Sequence, residues 1–96
     1  MNTDFQLKVV SREGVIFEGH VESITSYNEK GKFDVLGQHA NFISLISKGL
    51  MIRTKDKRVN EIKFDNALLR VRKNVVEVYI GVEGMSPAEI SISSMS

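Results

Sequence analysis

The chain has 96 residues, of which 42% are hydrophobic and 26% charged. That suits one folded domain burying about two-thirds of its unfolded surface and argues against disorder. A formal net charge of +1 gives no overall steering toward nucleic acid or membrane, and the absence of cysteine excludes disulfides, thiolate metal sites and cysteine nucleophiles. In chain order, Phe5, Leu7 and Val9 alternate with Gln6, Lys8 and Val10, and Arg12-Glu13-Gly14 turns the chain into Val15-Ile16-Phe17. The spacing from Val21 to Ile24 breaks the period of two, which predicts a bulge or register change. Asn28-Glu29-Lys30-Gly31 is a turn, followed by a short apolar strand from Phe33 to Leu36. A polar corner at Gly37-Gln38-His39-Ala40-Asn41 leads to a second apolar run, Phe42 to Ile46, closed by Ser47-Lys48-Gly49. Leu50, Ile52 and Thr54 begin a further strand with a solvated tip at Lys55–Arg58. Ile62 and Phe64, then Ala67, Leu69 and Val71, then Val76, Val78 and Ile80 continue the meander, with a turn at Lys73-Asn74.

Short alternating runs with turns between them predict an all-β fold, an antiparallel β-sandwich of about ten short strands over residues 1–84, followed by a polar serine-rich tail over 85–96. Phe17, Phe33, Leu36, Leu50, Ile52, Leu69, Val71, Val78 and Ile80 are its expected core. No apolar run approaches the roughly 20 residues of a membrane-spanning helix. The N-terminus lacks the basic-then-apolar pattern of a signal peptide, so the expectation is a soluble protein in a reducing cytoplasm.

Few residues invite chemistry. His20 and His39 are the only histidines, and a metal site would need both together with acids; a corner histidine bonding local backbone is the expected role of His39. Ser44, His39 and Asp34 compose a triad on paper, but nothing resembles a nucleophile elbow or an oxyanion loop. Asn28-Glu29-Lys30-Gly31-Lys32 lacks the Gly-Lys-Ser/Thr of a phosphate cradle. No cofactor is expected. Arg53, Lys55, Lys57, Arg58, Lys63, Arg70, Arg72 and Lys73 are either a solvated face or a nucleic-acid patch. Scarce aromatics, together with Asp56, Glu61 and Asp65, favour the former.

Gly31, Phe33, Val35, Leu36, His39, Ala40, Ile43, Ser44, Gly49, Leu50 and Ile52 fall at matching positions of a family signature. Together with Leu7–Ile24 upstream and Leu69-Arg70-Val71 and Asn74–Val78 downstream, they make the chain resemble the epsilon subunit of F-type ATP synthases, the counterpart of the mitochondrial delta subunit, over about residues 5 to 84. The family's Pro-Gly before the histidine is Gly37-Gln38 here, its proline after His-Ala is Asn41, its Gly-Gly before the last hairpin is Asn66-Ala67, and its usual acid is Lys32.

The resemblance implies a non-catalytic central-stalk subunit that docks on gamma, rests on the ring of c subunits, and couples ion flow to ATP synthesis. It implies no nucleic-acid partner and a peripheral position on the cytoplasmic face of the membrane, without insertion. By the same resemblance Asn28, Glu29, Lys30, Gly31 and Lys32 form the ring-facing loop, and Gly37, Gln38, His39, Ala40 and Asn41 a neighbouring corner. The sequence ends at Ser96 without the family's helical hairpin, so little inhibition of hydrolysis by that route is expected.

Overall fold

The computed structural model describes residues 4–37 and 41–81, and these contain strands and turns but no helix. In order they are β1 (Phe5–Ser11), β2 (Gly14–Val21), β3 (Ser23–Asn28), β4 (Gly31–Leu36), β5 (Phe42–Arg53), β6 (Val59–Ile62), β7 (Asn66–Arg72) and β8 (Val75–Ile80). The all-β reading stands, with eight strands among the described residues where about ten were expected. One reason is β5. Ser47-Lys48-Gly49 reads in the sequence as a strand ending, yet the chain runs through it as one strand of 12 residues. Lys48 and Gly49 take positive φ values of 63° and 84°, which bends the strand without ending it. The tail expected over 85–96 lies outside the described residues.

The hydrogen-bonded order is β2-β1-β8-β7-β5-β3-β4, with β6 also on β5. Every pairing is antiparallel except β1 with β8. The bend divides β5 between two layers. Phe42–Ser47 pairs with β7, and Leu50–Arg53 pairs with β6 on one side and β3 on the other. One layer is therefore β2-β1-β8-β7 with the first half of β5; the other is β6, the second half of β5, β3 and β4. A second crossing lies at Glu22, between the last residue of β2 and the first of β3, where the Glu22 amide donates to the Arg53 carbonyl at 2.8 Å. The broken period around Val21–Ile24 is this corner. The register shifts sit elsewhere, between Val9 and Val10 and between Thr25 and Tyr27.

Both layers turn one face to a single core, in which Leu7, Val9, Leu69 and Val78 of the first are joined by Ile24, Val35 and Ile52 of the second. Each large aliphatic side chain buried here contributes about 1.5–3 kcal/mol. Of the nine expected core residues, Leu50, Ile52, Leu69, Val71 and Val78 are buried, while Phe17, Phe33 and Ile80 are partly buried against the cluster. Leu36 is the correction: it is 53% exposed. Phe33 and Val35 face inward on β4, and a period of two then sends Leu36 outward with Asp34. β7 departs from simple alternation too, because Leu68 and Arg70, on its outer face, are buried as well. Arg70 Nε lies 3.8 Å from Glu77 Oε1, and the Tyr79 hydroxyl donates to Glu77 Oε2 at 2.9 Å, so the charge sits beside a carboxylate oriented by a phenol.

Lys55, at the β5–β6 tip, bridges to Asp4 at 3.0 Å and ties the start of the described chain to the second layer. Its hydrogen bond holds the Asp4 carboxyl below the ordinary 3.8. A depressed carboxylate pKa contributes stability above the unfolded value, and that stability is lost as pH falls through the folded one. Lys55→Met should therefore lower the urea midpoint at about pH 7, and its difference from the wild type should shrink as pH falls below 3.8. A difference that persists unchanged in acid would show that the pair does not titrate this way.

Candidate partner-docking site

The turn between β3 and β4 has a local cause. Asn28 Oδ1 accepts from the Lys30 amide at 2.8 Å, which closes a turn over Glu29 and Lys30, and Gly31 follows at φ 118°. Tyr27 and Lys32 sit opposite each other just behind the tip. Lys48 comes from the β5 bend with its Nζ 5.3 Å from the centre of the Tyr27 ring, a cation–π distance. Ser26 secures the bend by donating its hydroxyl to the Gly49 carbonyl at 2.8 Å. Asn28, Glu29 and Lys30 then wall a cavity of about 640 Å3 whose other side is Phe42–Ser47 and Asn66. Two exposed aliphatic side chains, Ile43 and Leu45, open onto it.

The two groups of residues proposed from sequence are not placed side by side by the β3–β4 hairpin. Gly31 and Gly37 bracket β4, whose six residues span about 20 Å of extended chain. The turn lies beside the first half of β5, whereas Gly37 follows the far end of the hairpin, where Ser23 pairs with Leu36. Asn41 is tied instead to the β7–β8 turn, its Oδ1 accepting from the Lys73 amide at 2.9 Å. Gln38, His39 and Ala40 lie outside the described residues.

Other candidates disperse. Asp34 accepts the Thr25 hydroxyl at 2.5 Å, and Arg53 donates to that same hydroxyl at 3.0 Å, while Ser44 donates to the Leu45 carbonyl at 3.2 Å. Asp34 points outward on β4 in the second layer, and Ser44 belongs to β5 where it pairs with β7, so the paper triad is not assembled from these two. Among the described residues no group of three or more His, Asp or Glu side chains is arranged to hold a metal ion. The basic residues do not share a face. Arg53 projects from the second layer, Arg70 is buried on the outer side of the first, Lys55 pairs with Asp4, and Arg58 pairs with Asp56 at 3.0 Å. Sequence alone could place Arg70 and Arg72 together by alternation; it could not show that Arg53 lies in the other layer.

No helix among the described residues is long and apolar enough to cross a membrane. Residues 4–81, the whole two-layer body, match the family described as ATP synthase, Delta/Epsilon chain, beta-sandwich domain. The ATP synthase epsilon chain of Nitratiruptor sp. is 34% identical over 91 residues, covering 90% of this chain and 70% of that one. The epsilon chain of Campylobacter fetus subsp. fetus is 31% identical over 98 residues, covering 97% and 75%. Among solved structures, a chain of the Euglena gracilis mitochondrial ATP synthase (OSCP/F1/c-ring) shares the fold with a TM-score of 0.77 at 14% identity, over 97% of this chain and 62% of that one. A chain of the Tetrahymena thermophila mitochondrial ATP synthase central stalk and c-ring gives 0.66 at 10% identity, over 88% and 75%. The matched residues include every strand from Phe5 of β1 to Ile80 of β8, and the chain belongs to the delta/epsilon-chain beta-sandwich family of ATP synthase.

Proposed function

We propose that this chain is the central-stalk subunit of a rotary ATP synthase that ties the gamma subunit to the c-ring, coupling ion flow to ATP synthesis without bond chemistry of its own. The carrying observation is the family match across residues 4–81, which covers every strand. The named relatives are epsilon chains of bacterial ATP synthases. A body built this way suits transmission of force. Its strands are cross-paired in one continuous ladder and share one core, so a load at one end reaches the other through hydrogen bonds and close-packed side chains.

Within that reading the turn Asn28–Lys32 faces the ring, and Asn41, held at the β7–β8 turn, belongs to a separate contact. Lys32 and Lys48 flank Tyr27 at the turn, so the matching ring surface is acidic or neutral there. The subunit sits peripherally, at the cytoplasmic face of a bacterial plasma membrane or the equivalent organellar face, held by the complex and not by insertion. Purified chain mixed with its cognate gamma subunit should form a stable complex, and alone it should hydrolyse no ATP. Failure to associate at concentrations of about 10 μM, where a standard interface is saturated, would count against the assignment.

A further inference from the structure

We propose that Met51, on the outer face of the second layer, is a site of reversible oxidation by hydroperoxides, with Arg53 as the residue that orients its sulfur and receives the sulfoxide oxygen. Leu50 and Ile52 are buried in the core, 2% and 0% exposed, so alternation turns Met51 between them outward, where it is half-buried. Its cross-strand neighbours on that face are Thr25 of β3 and Glu61 of β6. Two residues back along β5 stands Gly49, which has no side chain to cover the sulfur. A cavity of about 120 Å3 opens there, with Met51, Tyr27, Lys32 and Lys48 in its walls. That is several times the space one water needs, and hydrogen peroxide is little larger than water.

The sulfur is already held by a cation. Arg53 donates from one terminal nitrogen to Met51 Sδ at 3.7 Å and from the other to the Thr25 hydroxyl at 3.0 Å. Thr25 in turn donates to Asp34 at 2.5 Å, which anchors the guanidinium to β3 and β4. One lone pair of the thioether therefore faces Arg53, and the other is left for the cavity. In the proposed step that second pair attacks one oxygen of hydrogen peroxide and the O–O bond breaks. The departing hydroxide takes the proton of the transferred oxygen and leaves as water, so sulfur is oxidised by two electrons and the peroxide is reduced. A turn about the Cγ–Sδ bond brings the new oxygen to the guanidinium. A polar sulfoxide oxygen accepts from that cation more strongly than a thioether, a weak acceptor, does. Holding the sulfur in one orientation also selects the face that is oxidised. One of the two sulfoxide epimers should dominate, and each epimer has its own reductase.

The test treats the folded full chain with dilute hydrogen peroxide and follows Met51 by peptide mapping, with the urea-unfolded chain alongside. Repair by each of the two epimer-specific methionine sulfoxide reductases measures the epimer ratio. Met51 of the folded chain should oxidise within about tenfold of the unfolded rate, with one epimer in at least about threefold excess. The unfolded chain should give the two epimers in nearly equal amounts. Arg53→Ala, at an exposed position and with an unchanged thermal midpoint to verify its fold, should bring the folded ratio close to equality. Oxidation of Met51 slowed by more than about tenfold on folding would overturn the site. A smaller epimer excess in the folded wild type would overturn the part given to Arg53, whether or not the variant folds. An excess that persists in folded Arg53→Ala would overturn it as well.

Discussion

Gly49→Ala is expected to destabilise the domain by about 3 kcal/mol, enough to leave a marginal fold partly unfolded. Two costs combine at this position. The backbone stands at φ 84°, where a side chain adds about 1–2 kcal/mol of strain. An added Cβ would also lie 2.8 Å from the Ile62 carbonyl oxygen, and this is backbone of the paired β6 strand, which cannot swing aside as a flexible side chain would. Relief would require parting β5 from β6 or straightening the bend by which β5 passes between layers. Gly31→Ala is the informative comparison. It shares a positive φ of 118°, but an added Cβ there meets nothing within 4 Å. The gap between the two variants in urea denaturation therefore reports the clash apart from the strain. A Gly49→Ala protein as stable as Gly31→Ala would mean that the bend is not fixed by close approach to β6.

That bend also marks a limit of what the sequence makes legible. Alternation found the strands, and turn residues found Glu29-Lys30 and Lys73-Asn74, because both signals are local. Ser47-Lys48-Gly49 carries the same local signature as a strand ending, and only the pairing of Ile46 with Ala67 and of Ile52 with both Ile24 and Asn60 shows one strand serving two layers. The parallel partnership of β1 and β8 joins opposite ends of the described chain, beyond the reach of any short-range pattern. Leu36 could have been read correctly, since Phe33 and Val35 already claim the inward face of β4.

The candidate site divides in the same way. The turn Asn28–Lys32 was legible from its residues, and Asn28 supplies the side-chain cap that such a turn needs. Its separation from Gly37 follows from β4 having six extended residues, a length visible in the sequence. Burial of Arg70 was not legible, because alternation with Leu69 and Val71 predicts a solvated arginine where the structure has one beside Glu77 and Tyr79.

Removing this chain from the assembled enzyme should abolish ion-driven ATP synthesis. In a rotary machine the torque of the ring must pass into the shaft, and a subunit gripping both supplies a rigid link between them. Without it the ring and shaft slip, so the gradient is dissipated or blocked while the catalytic head retains its chemistry. The loss is therefore specific to coupling, and it separates a stalk subunit from a catalytic one. The most direct measurement is gradient-driven ATP synthesis in vesicles carrying the complex assembled without this chain and with it added back. Synthesis should fall to background in its absence and return with the wild-type chain, while ATP hydrolysis by the catalytic head persists in both. Undiminished synthesis in vesicles shown to lack the chain would contradict the central-stalk assignment.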